Sequence, residues 1–404
     1  MADIVNSLMT PLGGVRAAST APTRHIDRTT MQPSITMIGE RHWRQLSTRA
    51  IEPNGYFLPD WALAVDASAR DRTGMAALSS WRGEGETSEL TGLIPVIQLR
   101  RAFGILFPAL VTADPYGTLG TPLLDRDHAV ESVLQMMAQA RHAGAHALIL
   151  RDTALDGPAM AAVTAALARK KLAPTILQSH DRACLDATRD AENILRDALG
   201  AKKLKDLRRL RNRLAEHGEI AFKVVRRPDE IAAALDLFLD LEASGWKAKR
   251  GTALKLHGGD AAFIRRATAA LAAQGQCEIV TLHAGVTPIA AGIILRHLDR
   301  AFYFKLGVDE TFAKLSPGVQ LTLDVTRYLC ADPTIAMVDS TAAPGHPMID
   351  PIWRGRLAIG DVLVPLRRFD PIVPMIAGTL SLRRIIREPL RRVVHFVRKH
   401  KEKS

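Results

Sequence analysis

The sequence predicts an α/β fold arranged as two tandem domains, each a mixed, twisted sheet with flanking helices. Three observations carry this expectation. Cys277 to Gly345 alternates apolar runs with turn signals in the order strand, turn, strand, strand, helix, strand. A strand, a turn and a second strand recur between Met75 and Leu99, a weak internal repeat that points to two related units. The chain has 404 residues, too many for one ordinary domain, and its 47% apolar content is ample for two cores.

The elements follow in order. Residues 1–34 are rich in Thr, Ala, Pro and Arg without periodicity and read as a disordered leader. The first domain is placed at 35–190. Glu40 to Ala50 reads as a helix, and Met75–Trp81 and Leu90–Leu99 as partner strands around a polar loop. Phe103 to Val111 is a further strand candidate. Asp127 to Ala143 has helical spacing and stops at Gly144; Ala147–Leu150 is a buried strand, Pro158–Arg169 a helix, and Thr175–His180 the last strand of this domain. A basic connecting helix is placed at 191–218, ending at Gly218. The second domain is placed at 219–370. It opens with strand Ala221–Val225, then a helix from Pro228 to Ser244 with Pro at its first position, and another from Gly259 to Gln274. Strands follow on either side of Ala284-Gly285, then AFYFKLG from Ala301, a helix after Ser316-Pro317-Gly318, and a short strand at Ile335–Val338 leading to Asp339.

Composition narrows the function classes. The net charge is +12 with a pI near 9.9, which favours anionic partners: CoA phosphates, nucleic acid or an acidic membrane leaflet. Two runs hold much of the excess, Lys202–Arg213 and the tail from Arg383 to Lys403. Either run is also readable as a solvated helix face. No run of eighteen apolar residues occurs, and the N-terminus lacks the pattern of a signal peptide. Cys184, Cys277 and Cys330 form neither a disulfide framework nor a zinc spacing, so a reducing, cytoplasmic setting is expected. Phosphate-loop, dinucleotide, zinc-protease and serine-hydrolase motifs do not occur, and no metal-dependent reaction is expected.

One corner of the sequence suggests a ligand. Ser316-Pro317-Gly318 opens a helix, where backbone N–H groups lack intrahelical partners and bind phosphate readily. It is also an ordinary way to start a helix. In the tail, residues 371–404, apolar positions Leu382, Ile385, Ile386, Leu390, Val393, Val394 and Val397 recur among Arg and Lys. This basic amphipathic pattern reads as a membrane-surface anchor or as a helix packed on the body.

Several stretches together resemble the CelD-like branch of the GNAT acyltransferases, which is associated with polysaccharide biosynthesis. They are LGAKKLKDLRRLRNRLAEHG from Leu199, LEASGWKAK from Leu241, AFYFKLGVDETFAKLSPG from Ala301, and Pro95 with YGTLGTPLLD from Tyr116. The resemblance covers roughly 40–365, and the architecture is also similar to the Fem-type aminoacyltransferases. It implies two GNAT-like domains and transfer of an acetyl or other acyl group from acyl-CoA, without metal. The acceptor implied is an amine or hydroxyl of a sugar or envelope precursor, in the cytoplasm or at the inner membrane face. Two alternatives stand beside it: a Fem-type aminoacyl transferase using charged tRNA, and a non-enzymatic basic protein on membrane or nucleic acid.

Such chemistry needs phosphate donors, a base, and a proton for the leaving thiolate. Ser316, Pro317 and Gly318 suit the first role. Asp339 follows a buried strand, where ligands gather in open α/β sheets. His346 and Asp350 lie four apart in a Pro- and Gly-rich loop, where a carboxylate could orient an imidazole; the bland reading is a surface His and a turn-forming Asp. The family often shows Tyr-Lys here, where this chain has His346-Pro347. Tyr303 and Lys305 are expected on one strand face, with Tyr303 protonating the thiolate or packing in the core. Trp246 lines an acceptor groove or packs.

Overall fold

A three-strand meander, a crossover helix and a parallel fourth strand occur twice along the chain. The computed structural model describes residues 30–244 and 251–401, those from 387 onward through their backbone alone. In the first half, α1 (Glu40–Thr48) and α2 (Pro59–Ser68) precede β1 (Ala76–Arg82), β2 (Glu89–Gln98), α3 (Leu99–Phe103) and β3 (Ala109–Thr112). After the short β4 (Leu123–Leu124), α4 (Ala129–His142) crosses to β5 (Ala147–Ala154), which runs parallel to β3. Next come α5 (Pro158–Arg169) and β6 (Thr175–Asp186). In the second half, α6 (Ala191–Ala215), β7 (Ile220–Val225), α7 (Pro228–Ser244) and α8 (Gly258–Ala273) lead into the meander. Its strands are β8 (Cys277–Ala284), β9 (Thr287–His297) and β10 (Arg300–Val308). Then α9 (Pro317–Cys330) crosses to β11 (Met337–Asp339), parallel to β10. The chain continues through β12 (Gly355–Pro365) into α10 (Ile372–Lys401).

All of this is one sheet, in the order β1-β2-β3-β5-β12-β6-β11-β10-β9-β8-β7, with β4 on β2. The two halves exchange their last strands: β12 enters between β5 and β6, and β6 pairs antiparallel with β11. Each meander's open edge is thereby covered by backbone from the other half, which removes two unpaired strand edges.

Sequence explains most boundaries. Pro occupies the first turn of α2, α5 and α9, where its missing N–H has no intrahelical acceptor to lose. Asp190 caps α6 by accepting from Asn193 N–H at 2.8 Å. The expectation of a strand over Phe103–Val111 is corrected: Phe103 ends α3, Gly104 stops that helix at φ 73°, and the strand begins only at Ala109, after Pro108. α6 is broken at Gly200, whose φ of 70° and ψ of 163° no helix holds.

The halves meet through buried aromatics. Trp61 of α2 is fully buried, donates Nε1–H to the Pro115 carbonyl at 2.6 Å, and lies edge-on to Phe263 of α8 (5.0 Å) and Phe304 of β10 (4.9 Å). Burial of one such ring contributes on the order of 3 kcal/mol, so this seam is core. On the opposite face of the second half of the sheet, α9 buries Leu321, Val325 and Leu329, and Thr326 accepts from Trp353 Nε1–H at 2.9 Å.

Candidate active site

β10 and β11 run together only briefly. Arg300 to Phe302 pair with Met337 to Asp339, and there β11 stops while β10 continues to Val308. Two local features drive the strands apart. β10 carries a bulge between Tyr303 and Lys305, an extra residue that bends and twists the strand. Thr341, just past β11, sits at φ 52°, a conformation that costs a β-branched residue about 1–3 kcal/mol and needs support. That support is present: its N–H donates to Asp339 Oδ1 at 2.7 Å, its hydroxyl to the Tyr303 carbonyl at 2.7 Å, and its carbonyl accepts from the Thr118 hydroxyl at 3.1 Å.

The parted strands leave a cleft of about 460 Å³. Leu306, Val308, Ala342 and Ile349 give it an apolar wall. The corner Ser316-Pro317-Gly318 stands at one end, where Ser316 has φ 55° and Pro317 begins α9. Gln320 N–H already bonds the Ser316 carbonyl, so the helix's partnerless donors are the N–H groups of Gly318 and Val319. A Cβ on Gly318 would stand 3.0 Å from Leu306 and 3.2 Å from Met348 and Val308, within the wall itself. α6 lies against α9, with Gln320 Nε2–H donating to the Leu207 carbonyl at 2.8 Å. The side chains of Lys202, Lys203, Lys205 and Arg208 on α6 are exposed.

The residues singled out from sequence divide into those on the cleft and those behind it. Tyr303, Lys305, His346 and the Ser316–Gly318 corner line it. The Tyr303 hydroxyl is sealed from solvent without a hydrogen-bond partner, and burial pushes it well above the ordinary phenol range. The expectation that Tyr303 and Lys305 share a face is corrected by the bulge, because one extra residue inverts the alternation of side chains. Tyr303 packs beside Trp353 (5.9 Å), while Lys305 Nζ reaches Glu242 Oε1 of α7 at 3.1 Å. His346 Nδ1 accepts from Met348 N–H at 3.4 Å. Asp350 Oδ2 accepts from Gly345 N–H at 3.0 Å and holds the loop that carries His346, while its Oδ1 is buried without a hydrogen bond. Asp339 stands behind the cleft, at 0% exposure, bound by Arg182 Nη1 at 3.1 Å and by Thr341 N–H. Trp246 lies outside the described residues.

Sequence reasoning passed over Thr341, Glu242 and Arg182. Glu242 is buried at 2% and also accepts from Leu254 N–H at 2.9 Å. Its one sequence signal was a carboxylate on the apolar face of an amphipathic helix. Arg182, 1% exposed, has no local signal at all. Among the described residues no group of His, Cys, Asp and Glu is arranged to hold a metal ion.

Residues 201–345, which include β7 to β11, α9 and the cleft lining up to Ala342, match the family model of the acetyltransferase (GNAT) domain. No curated protein matches the chain. Among solved structures it is similar to FemX, at 10% identity and TM-score 0.54, over 84% of this chain and 98% of that one. It is also similar to the C-terminal domain of a putative lysylphosphatidylglycerol synthetase from Agrobacterium fabrum, at 14% identity and TM-score 0.51, over 84% and 95%. A tandem GNAT protein from the clavulanic acid biosynthesis pathway aligns at 14% identity and TM-score 0.39, over 84% and 99%. At these identities the likeness to FemX and to the synthetase domain is one of fold. The cleft between β10 and β11 therefore lies in a GNAT acyltransferase-type α/β fold.

Proposed function

We propose that this chain is an acyltransferase that moves an acetyl or other acyl group from acyl-CoA to an amine or hydroxyl of a sugar or envelope precursor. One observation carries the reading: the free N–H groups that start α9 open into an apolar cleft between two parting parallel strands. Gly318 and Val319 would hold the pyrophosphate, and the β10 edge with Ser340–Ala342 would hold the apolar arm. The donor supplies a thioester, whose C–S bond breaks as the acceptor's nitrogen or oxygen bonds the acyl carbon. Tyr303 keeps its proton at neutral pH and would deliver it to the departing thiolate once the bound arm opens a path to its sealed hydroxyl. His346, on the cleft wall, would take the acceptor's proton, and Asp350 would hold its loop. Asp339 would act indirectly, by positioning Thr341. Lys305 and Trp246 are the acceptor-side candidates.

The polysaccharide-linked specificity rests on the resemblance of LGAKKLKDLRRLRNRLAEHG and AFYFKLGVDETFAKLSPG to the CelD-like branch. A cytoplasmic setting with attachment at the inner membrane face fits three free cysteines and a basic tail. Calorimetric titration with acetyl-CoA tests the donor. Saturable binding that is lost in Gly318→Glu is expected, and a wild-type chain that binds no CoA would sink the proposal.

A second reading is favoured by the exposed Lys202, Lys203, Lys205 and Arg208 of α6, which packs against α9. In it the donor is an aminoacyl-tRNA whose phosphates lie along that helix. It predicts tRNA binding that weakens steeply with salt and is undisturbed by CoA.

A further inference from the structure

α10 has two apolar faces that point in different directions. Its first turns bury Ile376 completely and pack Ile372, Val373, Ala377 and Leu380 onto Leu99, Ile149 and Leu363. At about 100° per residue, Leu382, Ile385 and Ile386 centre about 160° round the helix from that stripe, near the azimuth of Met375. These four side chains are 57%, 66%, 53% and 53% exposed, respectively. The face that carried the core contacts becomes basic beyond Leu380. Two of its arginines still clasp the body there: Arg383 donates to the Phe103 carbonyl at 2.8 Å and Arg384 to the Leu177 carbonyl at 3.3 Å. The outer apolar stripe is turned away from the sheet that the inner one covers. In sequence Val393 and Val397 continue it.

We infer that the outer half of α10 docks the protein on an anionic phospholipid surface, lying in the interface with Leu382, Ile385 and Ile386 inserted. Charge chooses this occupant. From Leu382 to Ser404 the chain has nine Arg and Lys against two Glu. That excess attracts an acidic leaflet and repels a second copy of itself. No described helix is long and apolar enough to cross a membrane, which leaves surface attachment as the mode for such a helix. The docking is independent of which donor fills the cleft.

The test is co-flotation of the full chain with vesicles of phosphatidylcholine alone or with about 30% phosphatidylglycerol, in low and high salt. Saturable binding to the anionic vesicles is expected, about tenfold weaker or more in Ile385→Glu/Ile386→Glu and in about 0.5 M NaCl. A chain ending at Ser381 keeps the inner stripe and should retain its thermal midpoint and its CoA binding while losing the vesicles. No binding to anionic vesicles, or equal binding by the Glu variant, overturns the inference. So does a concentration-dependent dimer that the same variant dissolves, which would make this face a contact between copies.

Discussion

Replacing Asp339 by Asn should unsettle the fold before it touches the chemistry. Asp339 and Arg182 are a sealed pair, at 0% and 2% side-chain exposure, joined at 3.1 Å across the neighbouring strands β11 and β6. Arg182 also donates Nη2–H to the Thr118 carbonyl at 2.5 Å, so one guanidinium ties three segments together. Breaking a buried pair from one side strands the other charge, a loss of about 3–5 kcal/mol. Asp339→Asn and Arg182→Met should each cost about that much, whereas Arg182→Met/Asp339→Leu should cost well under the sum, by about 2 kcal/mol or more. The assay is urea unfolding of the four chains, with acetyl-CoA titration alongside. The Asp339→Asn change would also weaken the hold on Thr341, so donor affinity should fall together with stability. If Asp339→Asn left the unfolding midpoint in place and abolished only turnover, Asp339 would be a reacting carboxylate and the positioning argument would be wrong.

Three other expectations can be checked on the same material. Lys305→Met removes one ion-pair partner of Glu242, whose side chain is fully buried; allowing for the 23% exposure of Lys305, about 1–3 kcal/mol should be lost. An unaltered thermal midpoint would contradict this. Burial, with Asp339 near one and Asp186 near the other, pushes the Cys184 and Cys330 thiols up to about 11, and burial beside Glu278 pushes Cys277 higher still. The native chain should therefore react slowly with a thiol disulfide reagent at pH 8, and the half-buried Cys330 should speed up about tenfold per pH unit toward pH 10. Fast stoichiometric labelling at pH 7 would refute it. His297 accepts Asn54 N–H on Nδ1 and donates Nε2–H to the Ser47 carbonyl, both at 2.8 Å, and burial lowers its pKa below the ordinary value. Below about pH 6.5 the unfolded chain takes up a proton that the native site refuses. Stability should then fall on acidification by up to about 1.4 kcal/mol per pH unit. His297→Asn should flatten that slope between pH 7 and 5.5, and equal slopes in both chains would exclude the role.

What was legible in the sequence was local. Pro158 to Arg169 and Pro228 to Ser244 are helices with the bounds their spacing and first-turn prolines predict. The Ser-Pro-Gly corner was readable as a helix start with free donors because those groups depend on three adjacent residues. The β10 bulge was not readable: Ala301 to Phe304 is a continuous apolar run with no alternation to break, and only the pairing with β9 shows where a residue is left over. β12 was missed altogether, because Gly360 and Asp361 interrupt its apolar pattern where the strand bulges against β5.

By itself the sequence determined the order of most helices and strands, a weak strand-turn-strand repeat, and the Ser-Pro-Gly corner that starts α9. Each of these is set by neighbours a few residues apart. Only the tertiary structure decided that the halves exchange β6 and β12, that Lys305 turns to Glu242 and away from Tyr303, and that Asp339 is bound to an arginine 157 positions away. Periodicity has no term for a partner that distant. Such a pairing comes from the free energy of sealing a charge inside a sheet, where only an opposite charge in hydrogen-bonding reach makes the burial tolerable.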